Sequence, residues 1–141
     1  MEDKDIKLVK ALIKGTEEKK IEWELVPFMN YSQFSEKQEF VEGAYYFVDV
    51  NYSRRIVIYK ANTTFIDGFG EETEKTNIHL FFSETPLFKV SFKLSDYDLN
   101  RGGSAFLWSL YKLAQRSQSN ADQLIDGLIK EYGSKEDDFP F

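Results

Sequence analysis

Asp96-Tyr97-Asp98-Leu99-Asn100 sets oxygen-bearing side chains at alternate positions, as the first half of an EF-hand calcium loop does. The pattern then breaks. The sixth position of such a loop needs Gly and here is Arg101, and the twelfth needs a bidentate Glu and here is Leu107. A turn from strand into helix explains the same residues, with Asp and Asn side chains satisfying backbone N–H groups and Gly102-Gly103 giving flexibility. Gly102-Gly103-Ser104 could offer exposed amides to an anion, but a Lys-Ser/Thr pair is missing, and Asp96 and Asp98 would oppose a phosphate.

His79 is the one histidine of the chain, so a metal site built on paired imidazoles is excluded and any Ser-His-Asp relay would have to use this ring. No Ser stands in a nucleophile-elbow context, which leaves His79 as a half-exposed strand residue. Asp49 stands among Tyr45, Tyr46, Phe47, Val48 and Val50, where an unpaired carboxylate would be costly to bury. Arg54 and Arg55, just across a hairpin, are its expected partners; the alternative is a catalytic carboxylate acting with Glu22 or Glu24. The acidic run Asp67, Glu71, Glu72 and Glu74 reads as a solvated connection that could attract a basic partner. Lys112, Arg116 and Lys130 are sparse for a nucleic-acid face.

The absence of cysteine removes thiol nucleophiles, Cys-ligated metals and disulfides, and suits a reducing compartment. No apolar run approaches the roughly 20 residues that cross a bilayer, and the N-terminus lacks a basic stretch followed by an apolar one. A cytoplasmic, soluble chain with no membrane contact and no cofactor is expected. The net charge of -6 repels phosphate backbones at long range, so nucleic acid is disfavoured as a partner without a local basic patch.

These side chains have to be positioned by elements that the hydrophobic period reveals. Over residues 3–14, Ile6, Val9 and Ile13, flanked by Leu8 and Leu12, form the apolar side of an amphipathic helix that Gly15 is placed to end. Ile21, Trp23 and Leu25 alternate with Glu22 and Glu24 as a strand with one wet face, which Pro27 closes. Residues 28–42 have no clean period and read as an irregular connection or short helix packed by its aromatics. Residues 44–52 and 55–61, joined by a polar link, form a hairpin. Residues 66–77 read as an exposed loop, and two further strands come next at 78–83 and 88–94, the last with a lysine face toward water.

Beyond Asp96 the period becomes helical. Phe106, Leu107, Leu110, Tyr111, Leu113 and Ala114 make the stripe of a helix starting near Ser104, and Leu124, Ile125, Leu128 and Ile129 form the buried face of a second, capped by Asn120 and stopped by Gly133. The expectation is one α+β domain over 1–133, with an N-terminal helix, an antiparallel sheet of about five strands and two C-terminal helices packed on one face. A short acidic tail is expected at 134–141.

The chain holds 13 Phe, 8 Tyr and 2 Trp, crowded into its strand-like middle. If helices cover one sheet face, Tyr46 and Tyr52 cannot share it with Tyr45 and Phe47, because alternate residues point oppositely. Either some rings face outward as a contact surface, or residues 28–42 cover them.

The helix ending in Gly15-Thr16, the strand Ile21-Glu22-Trp23-Glu24, the helix Leu107-Trp108-Ser109-Leu110-Tyr111-Lys112-Leu113-Ala114-Gln115-Arg116 and a final helix over 121–129 together resemble a loosely defined family of small uncharacterised prokaryotic proteins. The resemblance covers both ends of the chain and implies the same architecture, with no activity or catalytic motif to carry over.

The expected function is a non-catalytic interaction module that binds a protein partner or a second copy through Tyr46, Tyr52, Trp108 and Tyr111. One alternative is a small hydrolase or transferase using Asp49, Asp96 or Asp98, with or without a divalent cation. Another is a nucleic-acid accessory protein of a phage or mobile element.

Overall fold

A computed structural model describes residues 3–49, 51, 53–84, 88–119 and 121–133. Its elements run α1 (Lys4–Glu17), β1 (Glu24–Leu25), a 3-10 turn (Phe28–Gln33), β2 (Glu39–Asp49), β3 (Arg54–Ile66), β4 (Glu72–Glu84) and β5 (Phe92–Ser95). A 3-10 turn (Asp96–Asp98), α2 (Arg101–Gln118), α3 (Ala121–Leu128) and a π-helical turn (Ile129–Gly133) complete the order. The five strands form one open antiparallel sheet in chain order, β1 to β5, so an α+β class with an N-terminal helix and C-terminal helices is observed.

Strict alternation along the strands sends side chains to two different cores. Tyr45, Ile56, Ile58, Ile78, Leu80 and Leu94 point to the helices, where Val9 of α1 and Leu107, Leu110 and Ala114 of α2 meet them. Ala44, Val57, Tyr59, Ala61 and Phe81 point the other way and are covered by Val26, Phe34 and Phe88. Each fully buried Leu, Ile or Phe among them contributes about 1.5–3 kcal/mol through removal of its surface from water. The sheet is therefore the middle of three layers, with helices on one side and the irregular chain around residues 26–35 and 88–90 on the other.

The local causes are legible. Asp3 caps α1 by accepting the Asp5 N–H at 2.8 Å, a bond that satisfies one of the free amides of the first turn. The helix continues through Gly15 to Glu17, so Gly15 does not end it, and Lys19 supplies the left-handed residue instead, at φ 60°. Thr16 ties the helix end to the next strand segment: its hydroxyl donates to the Leu12 carbonyl at 2.8 Å and accepts the Trp23 indole N–H at 2.9 Å.

Several boundaries depart from the sequence reading. The strand expected at 21–25 shortens to Glu24–Leu25. Much of the loop expected at 66–77 is strand, because β3 and β4 pair in unbroken register from Arg54–Glu84 to Ile66–Glu72. The reversal needs few residues: the Asp67 carboxylate accepts N–H bonds from Phe69 and Glu71, and Gly70 takes a positive φ of 77° that suits glycine. The strand expected at 88–94 pairs only from Phe92, since Phe88 and Val90 face the second core while Leu94 faces the first. Helix α2 starts at Arg101 rather than Ser104, because Asn100 caps it by accepting the Gly103 N–H at 2.8 Å.

The largest departure is α3. Leu124, Ile125, Leu128 and Ile129 do not form a buried face: they are 66%, 40%, 48% and 59% exposed. The proposed cap Asn120 and the tail at 134–141 lie outside the described residues. No helix among the described residues is long and apolar enough to cross a membrane.

Candidate functional site

Of the residues expected to form one contact surface, Tyr46 lies on one side of the sheet and Trp108 and Tyr111 on the other. Tyr46 is half-buried on the non-helical side of the sheet, its ring edge-on to Phe88 at 5.2 Å and beneath the Arg55 guanidinium at 5.2 Å. Tyr52 lies outside the described residues. Trp108 is half-buried on the helix side, with the Lys60 ammonium 5.7 Å from its ring. Tyr111 is only 5% exposed, packed 5.6 Å from Tyr45, and burial together with Tyr45 pushes its phenol pKa up. Its ring belongs to the core, which corrects the expectation of a surface built on it. Of the two readings of the aromatic surplus, cover by the irregular segment is the one the packing supports: Phe34 stacks on Tyr59 at 4.9 Å and on Phe81 at 5.1 Å.

The carboxylates considered for catalysis do not converge. Asp96 is buried and fully committed, accepting the Asn77 amide at 2.8 Å and the Trp108 indole N–H at 2.9 Å. Asp98 accepts the Ser95 N–H at 2.9 Å while the Ser95 hydroxyl accepts the Asp98 N–H, a reciprocal cap that ties the turn. Asp49 accepts the Asn51 N–H at 3.1 Å at the β2–β3 turn. It stands opposite Arg54 in register, and Arg55 places its guanidinium over Phe88 at 4.2 Å. Among the described residues no group of three or more His, Asp and Glu side chains could hold a metal ion.

A polar network that sequence reading missed surrounds His79. The ring is 3% exposed rather than half-exposed, with Nδ1 2.6 Å from the Ser95 hydroxyl and Nε2 3.1 Å from a Glu39 carboxylate oxygen. The Nε2 contact is close but poorly aligned, so proximity rather than a linear hydrogen bond defines it. Glu39 also accepts the Glu36 N–H at 2.8 Å and the Tyr59 hydroxyl at 3.1 Å. Burial raises the Glu39 pKa, but the His79 contact, the Glu36 amide and the Lys93 charge outweigh it and hold the carboxyl below its ordinary value.

Ser95, His79 and Glu39 are the residue types of a nucleophilic relay, but the setting is structural. Ser95 is 2% exposed and His79 3% exposed. The Ser95 hydroxyl is also occupied as a cap. A nucleophile must reach a bound substrate, and this one faces packed protein. The network pins β5 and the start of β2 to β4, at residues far apart in the chain.

Apolar side chains are exposed at several places, among them Phe28 and Met29 of the first 3-10 turn and Ile66 and Phe69 at the β3–β4 reversal. Leu124, Ile125, Leu128, Ile129 and Tyr132, spaced i, i+1, i+4, i+5 and i+8, form one stripe along α3 and the π-helical turn, and all are at least 40% exposed. A shallow groove of about 440 Å³ runs between α1 and α2, floored by Ile13, Phe106 and Leu113 and edged by Lys10, Lys112, Ser109 and Glu17. Comparisons with protein-family models, with curated proteins and with solved structures find no match to this chain.

Proposed function

We propose that this chain is a non-catalytic protein-interaction module whose contact element is the amphipathic helix α3 with its π-helical continuation. The observation that carries the reading is the apolar stripe from Leu124 to Tyr132, five side chains at helical spacing that each keep 40% or more of their surface exposed. Such a stripe fits helix-in-groove recognition, in which anchors at helical spacing enter a hydrophobic trough. It replaces the sheet aromatics as the surface of choice, because those rings are largely occupied by Phe34, Phe88 and the helices.

A photo-crosslinking residue at position 128, used in extract of the host cell, tests this directly. A discrete adduct is expected that excess unlabelled protein competes away and that excess Leu128→Asp protein does not. A crosslinker at Glu74, on the β3–β4 hairpin, should give none. If position 128 yields no competed adduct, the reading fails.

A further inference from the structure

A stripe that serves for contact needs an occupant, and the occupant assigned to α3 rests on the proposed function and sharpens it. Charge is distributed unevenly over this acidic chain. Helix α2 carries Arg101, Lys112 and Arg116 and no acidic residue, and α1 carries Lys4, Lys7, Lys10 and Lys14 against Asp5 and Glu17. The helical layer is thus basic on a protein of net charge -6. Its groove has an apolar floor of Ile13, Phe106 and Leu113, with Phe106 38% exposed, and an edge of Lys10 and Lys112 against the single carboxylate of Glu17. Lys10 already lies over the Phe106 ring at 4.8 Å, while Lys112 is exposed and makes no ion pair among the described residues.

Helix α3 has the complementary character. Its stripe is aliphatic and aromatic, and among the described side chains of α3 and its continuation the exposed charges are Asp126 and Glu131 against Lys130. The lengths also agree. At the rise of an α-helix, the floor from Phe106 to Leu113 is about 10 Å long and the stripe from Leu124 to Tyr132 about 12 Å. One chain therefore displays both an acidic amphipathic helix and a lysine-edged apolar trough of matching length, each without a cover among the described residues.

We infer that α3 of one copy docks between α1 and α2 of a second copy, reciprocally, to give a two-fold exchange dimer. Reciprocity is the arrangement with the fewest copies: a one-way contact leaves a free helix and a free groove unless a ring of three or more copies closes, whereas a two-fold exchange fills both with two. Buried apolar anchors supply the affinity, and the Lys112 and Glu131 charges at the rim set the pairing and its salt dependence.

The test uses the purified full chain. Light scattering and sedimentation equilibrium should give the mass of a dimer, with association weakened several-fold between 50 mM and 500 mM salt as rim charges are screened. Leu128→Asp, which damages the helix, and Phe106→Asp with Lys112→Glu, which damages the groove, should each be folded by circular dichroism and weaken homodimerisation at least about tenfold. Mixed, the two variants should associate with each other, because the intact helix of one meets the intact groove of the other. If groove variants dimerise as the parent does, the helices pair with one another and the exchange is wrong. A monomer at all concentrations overturns it, whether α3 folds onto its own groove or the basic layer instead retards a DNA duplex at low salt. A crosslinked adduct at position 128 containing a different protein would also overturn it while leaving the interaction-module reading intact.

Discussion

Glu39 is the residue on which most local electrostatics converge, since it holds the Tyr59 hydroxyl, the Glu36 amide and the His79 ring at once. Its folded pKa lies below the ordinary carboxylate value, so its contribution to stability is present above the unfolded pKa of about 4.3 and is lost as pH falls through the folded value. Glu39→Gln should therefore cost about 1–2 kcal/mol in urea unfolding at pH 7 and progressively less as the pH falls through the folded value, where the parent loses the charge too. A gap that does not narrow in acid would show that packing, not charge, dominates at this position. Asp96→Ala is a harsher change, because it strands the Asn77 amide and the Trp108 indole N–H. It should cost about 1–3 kcal/mol and shift Trp fluorescence. None of these partnerships is visible in sequence. Period-2 alternation places His79 on one side of β4, but burial depends on what lies over it, and Glu39 stands forty residues earlier in the chain.

Among elements, the bulge in β2 shows how a backbone irregularity is matched by a distant side chain. Register between β2 and β3 shifts at Val41–Gly43, and a Cβ on Gly43 would lie 2.5 Å from the Tyr111 hydroxyl oxygen of α2 but 3.7 Å from the ring carbon that bears it. Gly43→Ala should therefore destabilise the protein by about 1–3 kcal/mol, the usual range for overpacking. Most of that loss should vanish when Tyr111→Phe is made as well. A double-mutant cycle by thermal unfolding measures this, and strictly additive losses would place the cause in the bulge itself. The helices α1 and α2 and the central hairpin were legible because 3.6-residue and two-residue periods are strong signals. The β3–β4 extension was not, since residues 72–77 are polar on both sides and only their pairing with residues 61–66 makes them strand. In α3 the stripe was legible and its burial was not: an apolar face states a need for a partner without saying whether the same chain supplies it.

At the scale of the whole molecule, the sheet lies between two unlike covers, and both bury phenol groups that cannot ionise in place. Tyr59, fully buried between Phe34 and Phe81, has its pKa pushed far up by burial and then by the neighbouring Glu39 charge, and Tyr111 is raised on the helix side by burial and Tyr45. Because these folded values lie above the unfolded one of about 10, the stabilisation they represent is complete below that pH and is lost as pH rises through the folded values. Raising the pH should thus unfold the protein cooperatively before Tyr59 or Tyr111 titrates as a native group. Ultraviolet absorbance at 295 nm should show a steep phase of tyrosine ionisation coincident with loss of circular dichroism. In Tyr111→Phe the steep phase should lose amplitude and move to higher pH, since one ionisation that drives unfolding is gone. A single smooth titration with secondary structure intact would mean that water reaches both cores, contradicting the two-sided packing around Tyr59 and Tyr111.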